Sequence, residues 1–240
     1  MSILTQSSQQ SSSRWKRAAN ALLPEASCLL CGGNSGQQIL CPDCAMDLPH
    51  LPEMRCPRCA VATTFGEHCG PCQKTPRHFD HVQAVYAYEF PCDRLIHALK
   101  YGHQLALAAW FAQQISTELA AAECHLLIPM PMHPARLRER GFNQAVEIAR
   151  VIAKLNGTPL SVDTLVRTRA TQAQTGLRPD ERRRNIRGAF ECTAALEGMK
   201  IQLIDDVLTT GASADECARV LKLHGADEVR VAVIARALRH

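Results

Sequence analysis

Eight of the chain's twelve cysteines obey one spacing, and that spacing occurs twice. Cys28-x-x-Cys31, nine residues, Cys41-x-x-Cys44 is followed 28 positions later by Cys56-x-x-Cys59, nine residues, Cys69-x-x-Cys72. Two C-x-x-C pairs across a short spacer present four thiolates on two tight turns, and a tetrahedral Zn2+ at about 2.3 Å from each sulfur satisfies all four. Pro42, Pro57 and Pro71 inside the pairs, with Gly32, Gly33 and Gly70 beside or within them, supply the turn chemistry. The simplest assignment is two structural zinc ions, one on Cys28, Cys31, Cys41 and Cys44 and one on Cys56, Cys59, Cys69 and Cys72; interleaved pairing also satisfies the spacing. Four sulfurs close each site and leave no position for a catalytic water, so the metal serves folding. His68, His78 and His81 are alternative ligands but read more simply as surface or linker residues. Cys92, Cys124, Cys192 and Cys217 lack partner spacing and read as small buried apolar residues.

Such a module has almost no core, and the rest of the 240 residues must supply one. Met1 to Ser13 is rich in Ser and Gln and reads as a disordered tail. Trp15, Ala18, Ala19, Leu22 and Leu23 fall at helical spacing and stop at Pro24. A helix and double zinc ribbon are therefore expected over residues 14–75, with Gln73 to Asp80 as the linker out of it and a larger domain over 76–240. Val82 to Phe90 alternates as a strand, and Leu95 to Tyr101 and Ala106 to Ala122 read as helices. Beyond them, apolar strands (Leu126 to Ile128, Ile201 to Ile204, Val229 to Ile234) alternate with amphipathic helices (Asn143 to Leu155, Ala214 to His224). That order predicts an α/β domain with a parallel sheet and crossover helices.

Twelve cysteines of which eight are clustered, no run of about 18 apolar residues and no apolar core in the opening segment predict a cytoplasmic chain without a membrane span. The formal charge of +4 is uninformative, but its distribution is not: between Arg136 and Arg187 twelve Lys or Arg stand against five acids, an excess of seven. That stretch calls for an anionic partner or for water.

The segment Ile201-Gln-Leu-Ile-Asp205-Asp206-Val-Leu-Thr209-Thr210-Gly211-Ala212-Ser213 places two acids at the end of an apolar strand, then a Thr/Gly/Ser turn, then a helix. Backbone N–H groups and hydroxyls at a helix N-terminus favour a phosphate, and glycine lets the backbone approach it. Two vicinal carboxylates repel, a costly choice for mere capping, and they can accept hydrogen bonds from sugar hydroxyls. Read as loop carboxylates facing solvent, both should be removable at little cost in stability.

This segment resembles the fingerprint of type I phosphoribosyltransferases. The resemblance implies that Asp205 and Asp206 bind the ribose and that Thr209, Thr210, Gly211, Ala212 and Ser213 bind the 5′-phosphate. Pro129-Met-Pro131 with Arg136, Arg138 and Arg140-Gly-Phe-Asn-Gln144, and Arg167-Thr-Arg-Ala-Thr171-x-x-Gln174-x-x-Leu177 running through Arg182 and Asn185 to Phe190, resemble the ComF family of competence-associated proteins. The likeness, cysteine module included, extends over residues 15 to 238 and takes in the subgroup named after the gluconate gene neighbourhood and linked to use of DNA. It implies pyrophosphate near Pro129, Pro131, Arg138 and Arg140, a mobile basic lid from Arg167 through Arg182 to Arg187, and Mg2+ bound together with 5-phosphoribosyl diphosphate.

Two functions stay open at this stage. One is a protein of competence, natural transformation or use of external DNA, with single-stranded DNA and DNA-processing proteins as partners and the phosphoribosyl site retained for its ligand. The other is an active phosphoribosyltransferase that releases pyrophosphate as an acceptor attacks C1′, in which case no residue identifies the acceptor pocket and catalytic residues are unknown.

Overall fold

The computed structural model describes residues 26–119, 123–169 and 185–238. The polar tail, the helix expected from Arg14 and residues 170–184 of the basic segment lie outside them. Two compact units are distinguished, Met1–Leu48 and Pro49–His240.

In the first unit the chain turns tightly after Cys28. Gly32 donates its N–H to the Cys28 carbonyl at 2.8 Å, Cys28 N–H reaches Gly33 O at 2.7 Å, and Gly32 sits at φ +72°. A short helix, α1 (Pro42–Met46), follows Cys41 with Pro42 in its first turn, where a missing N–H costs nothing.

The second unit opens with the same turn. Ala60 N–H donates to Cys56 O at 2.9 Å and Cys56 N–H to Val61 O at 2.7 Å, with Ala60 at φ +57° where the first copy has glycine. Helix α2 (Gly70–Lys74) follows Cys69. This turn is part of the main core: Cys56, Cys59, Ala60 and Cys72 are buried in one cluster with Phe79, Val82, Leu203 and Val231. Gln73 to Asp80 is accordingly fastened rather than free. Phe79 is fully buried, and Asp80 accepts Lys222 Nζ at 2.8 Å and Val229 N–H at 2.9 Å.

The body of this unit is a four-stranded parallel sheet. Its strands are β1 (His81–Ala87), β2 (Leu126–Pro129), β5 (Lys200–Leu208) and β6 (Glu228–Arg236), in spatial order β1-β6-β5-β2. A separate antiparallel pair, β3 (Leu165–Arg167) and β4 (Phe190–Cys192), joins Arg167 to Phe190 across the ladder. Helices α3 (Cys92–Tyr101) and α4 (Ala106–Leu119) connect β1 to β2; α5 (Pro134–Arg140) and α6 (Gln144–Asn156) follow β2; α7 (Ala212–Leu223) crosses from β5 to β6.

Periodicity explains the layers. In α6, Ala145, Ile148, Ala149 and Ile152 form one buried stripe, Asn143 caps the start by accepting Ala145 N–H at 3.0 Å, and Gly157 in the left-handed region ends it. This stripe packs with α4 against the sheet, while α7 packs on β6 and β4. Val229 and the run Val231 to Ala235 in β6 are wholly buried, as a strand covered on both faces requires. Each valine or isoleucine among them contributes about 1.5–3 kcal/mol by leaving water. The loops after β2 and β5, which are neighbouring strands, leave the sheet at its carboxyl edge, where open α/β sheets place their ligand crevices.

Candidate functional site

A cavity of about 290 Å3 opens at this carboxyl edge. Its floor is the end of β5 and the turn into α7, one wall is the loop after β2 with α5 and the start of α6, and Lys100 and Tyr101 at the end of α3 close another.

Asp205 and Asp206 lie inside β5 rather than after it, because β6 supplies ladder partners as far as Leu208, opposite Arg236. Adjacent strand residues face opposite sides of a sheet. The two acids therefore meet different surroundings, and the expectation of two solvent-facing loop carboxylates is corrected. Asp206 is 8% exposed, and its Oδ2 lies 2.9 Å from Lys100 Nζ. Burial alone would lower the Lys100 pKa, but the Asp206 carboxylate outweighs it and the net shift is upward. Asp205 is desolvated and sits beside the Asp206 charge. These two effects push its carboxyl up to about 7 against the Asp206 N–H (2.9 Å from Asp205 Oδ1), Lys100 and Arg167, which favour the ionised form.

After Leu208 the chain turns through Thr209 and Thr210 to Gly211, whose φ of +75° is the left-handed conformation that a side chain resists. Gly211 is the N-cap of α7 and has no side chain to cap with; the Ala212 N–H meets Thr210 Oγ1 at a long 3.4 Å. The positive end of a twelve-residue helix thus faces the cavity.

On the opposite wall Gly141, at φ +83°, ends α5 and reverses the chain. Asn143 Nδ2 donates to Met130 O at 3.0 Å, tying the α6 start to the loop after β2. Gln144 is 2% exposed; its Oε1 accepts Arg140 Nη1 at 2.9 Å. Arg140 also donates to Tyr101 OH at 3.2 Å and lies 4.9 Å from that ring's centre. The Gly-Phe-Asn-Gln string is therefore the device that holds Arg140 at the cavity. Arg167 stands 5.6 Å over the Phe190 ring. Among the described residues, Lys100, Arg136, Arg140 and Arg167 give the lining four cations against two carboxylates.

Of the residues expected at the site, Asp205, Asp206, Thr209, Thr210, Gly211, Ala212, Ser213, Pro131, Arg140 and Arg167 line this one cavity. Pro129 is buried in β2 opposite Ile204, and Arg138 is exposed on α5; neither lines it. Arg182 lies outside the described residues. The neck of the basic segment is described: Arg169 Nη2 donates to the carbonyls of Asn185 and Arg187 at 2.8 Å each, and Gly188 N–H donates to Glu216 Oε1 at 2.8 Å. Lys100 and Tyr101 were missed. The one signal in the sequence was a Lys-Tyr pair closing an amphipathic helix.

Each cysteine tetrad brings four Sγ atoms within 4.8 Å of one another. Cys31 and Cys41 sulfurs are 3.8 Å apart and those of Cys59 and Cys69 3.5 Å, close to the edge of about 3.8 Å that a tetrahedral Zn–S distance of 2.3 Å demands. In both copies the first cysteine is the centre of backbone N–H groups: burial raises the thiol, but those donors win and bring Cys28 down to about 6 and Cys56 to about 7. The donor set and its spacing fit two structural zinc ions paired as the simplest assignment has it. Among the described residues no histidine joins either set, and His81 Nδ1 instead meets Pro57 O. Cys92 and Cys217 are fully buried, whereas Cys124 and Cys192 are half-buried.

A family model described as "Double zinc ribbon domain" matches residues 18–73. The DNA utilization protein YhgH of Salmonella typhi is 30% identical over 221 residues, which span 88% of this chain and 90% of that protein. Competence protein F of Haemophilus influenzae is 27% identical over 223 residues, 88% of this chain and 96% of that protein. Among solved structures, a purine phosphoribosyltransferase from Pyrococcus horikoshii is similar with a TM-score of 0.35 and 15% identity, over 54% of this chain and 73% of that one. With tetrads, parallel sheet and cleft in place, the chain belongs to the ComF family, that of the DNA utilization proteins and competence protein F.

Proposed function

We propose that the cavity binds 5-phosphoribosyl diphosphate with Mg2+, and that the protein uses this ligand in competence or in utilization of external DNA. One observation carries the proposal: among the described residues, a single cavity gathers the start of α7, two carboxylates and four cations. The turn Thr209 to Ser213 suits a phosphate monoester, since it lines the cavity and leads into the N-terminus of α7, where backbone amides favour an anion. Asp205 and Asp206 suit the ribose hydroxyls, and Asp206 keeps its charge neutralised by Lys100 until a ligand competes for it. Arg136, Arg140 and Arg167 suit the diphosphate, Arg140 as a planar donor already held by Gln144. Mg2+ prefers carboxylate and phosphate oxygens, so the Asp205 side is where these residues would admit it; bound there it would neutralise the diphosphate.

The names of the relatives favour the DNA role. Transfer to an acceptor is the second reading, favoured by the completeness of the ribose and phosphate elements. A thermal-shift series separates the possibilities: phosphoribosyl diphosphate with Mg2+ should raise the melting temperature more than ribose 5-phosphate or pyrophosphate. Equal effects of pyrophosphate and the full ligand would reduce the site to a general anion cleft. Pyrophosphate release with nucleobase acceptors would establish transfer.

A further inference from the structure

The turn Cys56-Pro57-Arg58-Cys59 of the second tetrad does more than present two sulfurs. The Cys59 carbonyl accepts Arg236 Nε at 2.9 Å. The same guanidinium donates through Nη1 to Leu208 O at 2.8 Å, to Ala237 O at 2.7 Å and to Thr209 O. Leu208 and Thr209 begin the phosphate turn, and Arg236 is only 5% exposed. A second strut runs from the neighbouring residue. Arg58 Nη1 donates to Arg77 O at 3.2 Å, the Arg77 guanidinium lies 4.0 Å from Asp215, and Asp215 Oδ1 accepts His78 N–H at 2.7 Å. Asp215 belongs to the first turn of α7. Between the struts stands Phe79, whose ring atoms lie 3.5 and 3.6 Å from where a Cβ on Gly211 would be. Both ends of the phosphate turn, and its glycine, are thus braced by the metal-binding turn or the chain leaving it.

We infer that the second tetrad is a support of the ligand site: metal on Cys56, Cys59, Cys69 and Cys72 fixes the turn that holds Arg236, and Arg236 is a positioning residue that fixes Leu208 and Thr209. A planar guanidinium holds five donors on three nitrogens in a fixed fork, so Nε and Nη1 can serve carbonyls of different segments, whereas a lysine offers three donors from one nitrogen on a flexible stem. Groups behind the ligand-contacting atoms set their geometry, and a looser brace lets the turn fluctuate. Metal and ligand are then linked, and each must stabilise the other by the same amount. The ligand half of this linkage rests on the phosphoribosyl reading; the bracing does not.

The test is hydrogen exchange on the full chain loaded with zinc and free of ligand, for the wild type, Cys69→Ser and Arg236→Lys. Cys69 lies outside the bracing turn, so its substitution removes a metal ligand and leaves the struts' own atoms in place. Amides of residues 209–213 should exchange at least about tenfold faster in both variants, while those of Leu203 and Val231 stay protected. Zinc should fall from two ions to one in Cys69→Ser alone. Unchanged exchange at 209–213 in Arg236→Lys, which keeps all eight sulfurs, overturns the inference. If Cys69→Ser or Arg236→Lys exposes the central strands as well, the unmodified protein decides: phosphoribosyl diphosphate with Mg2+ should slow the loss of one zinc to a zinc-selective chelator about tenfold or more. Equal loss with and without ligand, in a protein that binds the ligand by calorimetry, again overturns it. Absence of any binding heat with wild-type exchange behaving as expected instead refutes the phosphoribosyl reading and leaves the bracing intact.

Discussion

Lys100 Nζ and Asp206 Oδ2 lie 2.9 Å apart, joining the last turn of α3 to the middle of the sheet across 106 residues of sequence. Their side chains are 21% and 11% exposed, so the pair is largely removed from water. Removing one partner strands the other charge. Asp206→Ala should destabilise the protein by about 3 kcal/mol, the low end for a buried pair. The double variant Lys100→Met with Asp206→Leu should cost less than the sum of the single changes. Urea denaturation of Asp206→Ala, of Lys100→Met, of Asp206→Leu and of the double variant measures both, and additive costs in the last three would mean that the pair is not coupled.

Asp205 stands beside Asp206 in β5. Its carboxyl is raised to about 7 by burial and by Asp206, against an ordinary value of 3.8. Between these values the folded protein holds a proton that the unfolded chain has released, so the stability from this group falls as pH rises through that window. Asp205→Asn cannot ionise and escapes the penalty. Its melting temperature relative to the wild type should climb from pH 5 to pH 8. A difference that stays constant over this range would remove Asp205 as the titrating group.

Purified protein should carry two zinc ions per chain, each released with loss of its own cysteine turn. Metal analysis after exhaustive dialysis checks the number. One ion per chain would mean that one tetrad is only a cysteine cluster.

Single-stranded DNA, if it binds the basic segment, should compete with phosphoribosyl diphosphate, because Arg136, Arg140 and Arg167 face the cavity as well as belonging to that segment. The salt dependence of DNA binding should have a slope of about −0.7 per phosphate contact. Arg136→Ala with Arg140→Ala should flatten that slope by about one unit or more; an unchanged slope moves the strand elsewhere.

The parts of this molecule that sequence disclosed are those whose chemistry is local. A thiolate tetrad is written in spacing, so two metal sites could be read directly, whereas their partition was left open by the spacing and follows from which sulfurs lie within 4.8 Å of one another. The turn from Thr209 to Ser213 needs only a glycine and a following helix. Apolar runs marked β2, β5 and β6, but β5 seemed to stop at Ile204 because acids follow, whereas its end is set by ladder partners on β6 such as Val233 and Arg236. Lys100, Tyr101 and Arg236 reach the site or its support through crossings of the chain, which no spacing records. Gln73 to Asp80 has the composition of a linker, and only the burial of Phe79 and the bonds of Asp80 reveal a brace.

Binding of phosphoribosyl diphosphate in the cavity at the end of β5 should depend on the turn at Gly211. Isothermal titration of the zinc-loaded full chain with that ligand and Mg2+, beside Gly211→Val, tests it most directly. Valine at a φ of +75° is strained and must displace the turn. Saturable binding by the wild type at one ligand per chain, weakened at least about tenfold in the variant, is the predicted result; tenfold corresponds to about 1.4 kcal/mol. No heat with the wild type, or equal affinities for the two proteins, would contradict the account.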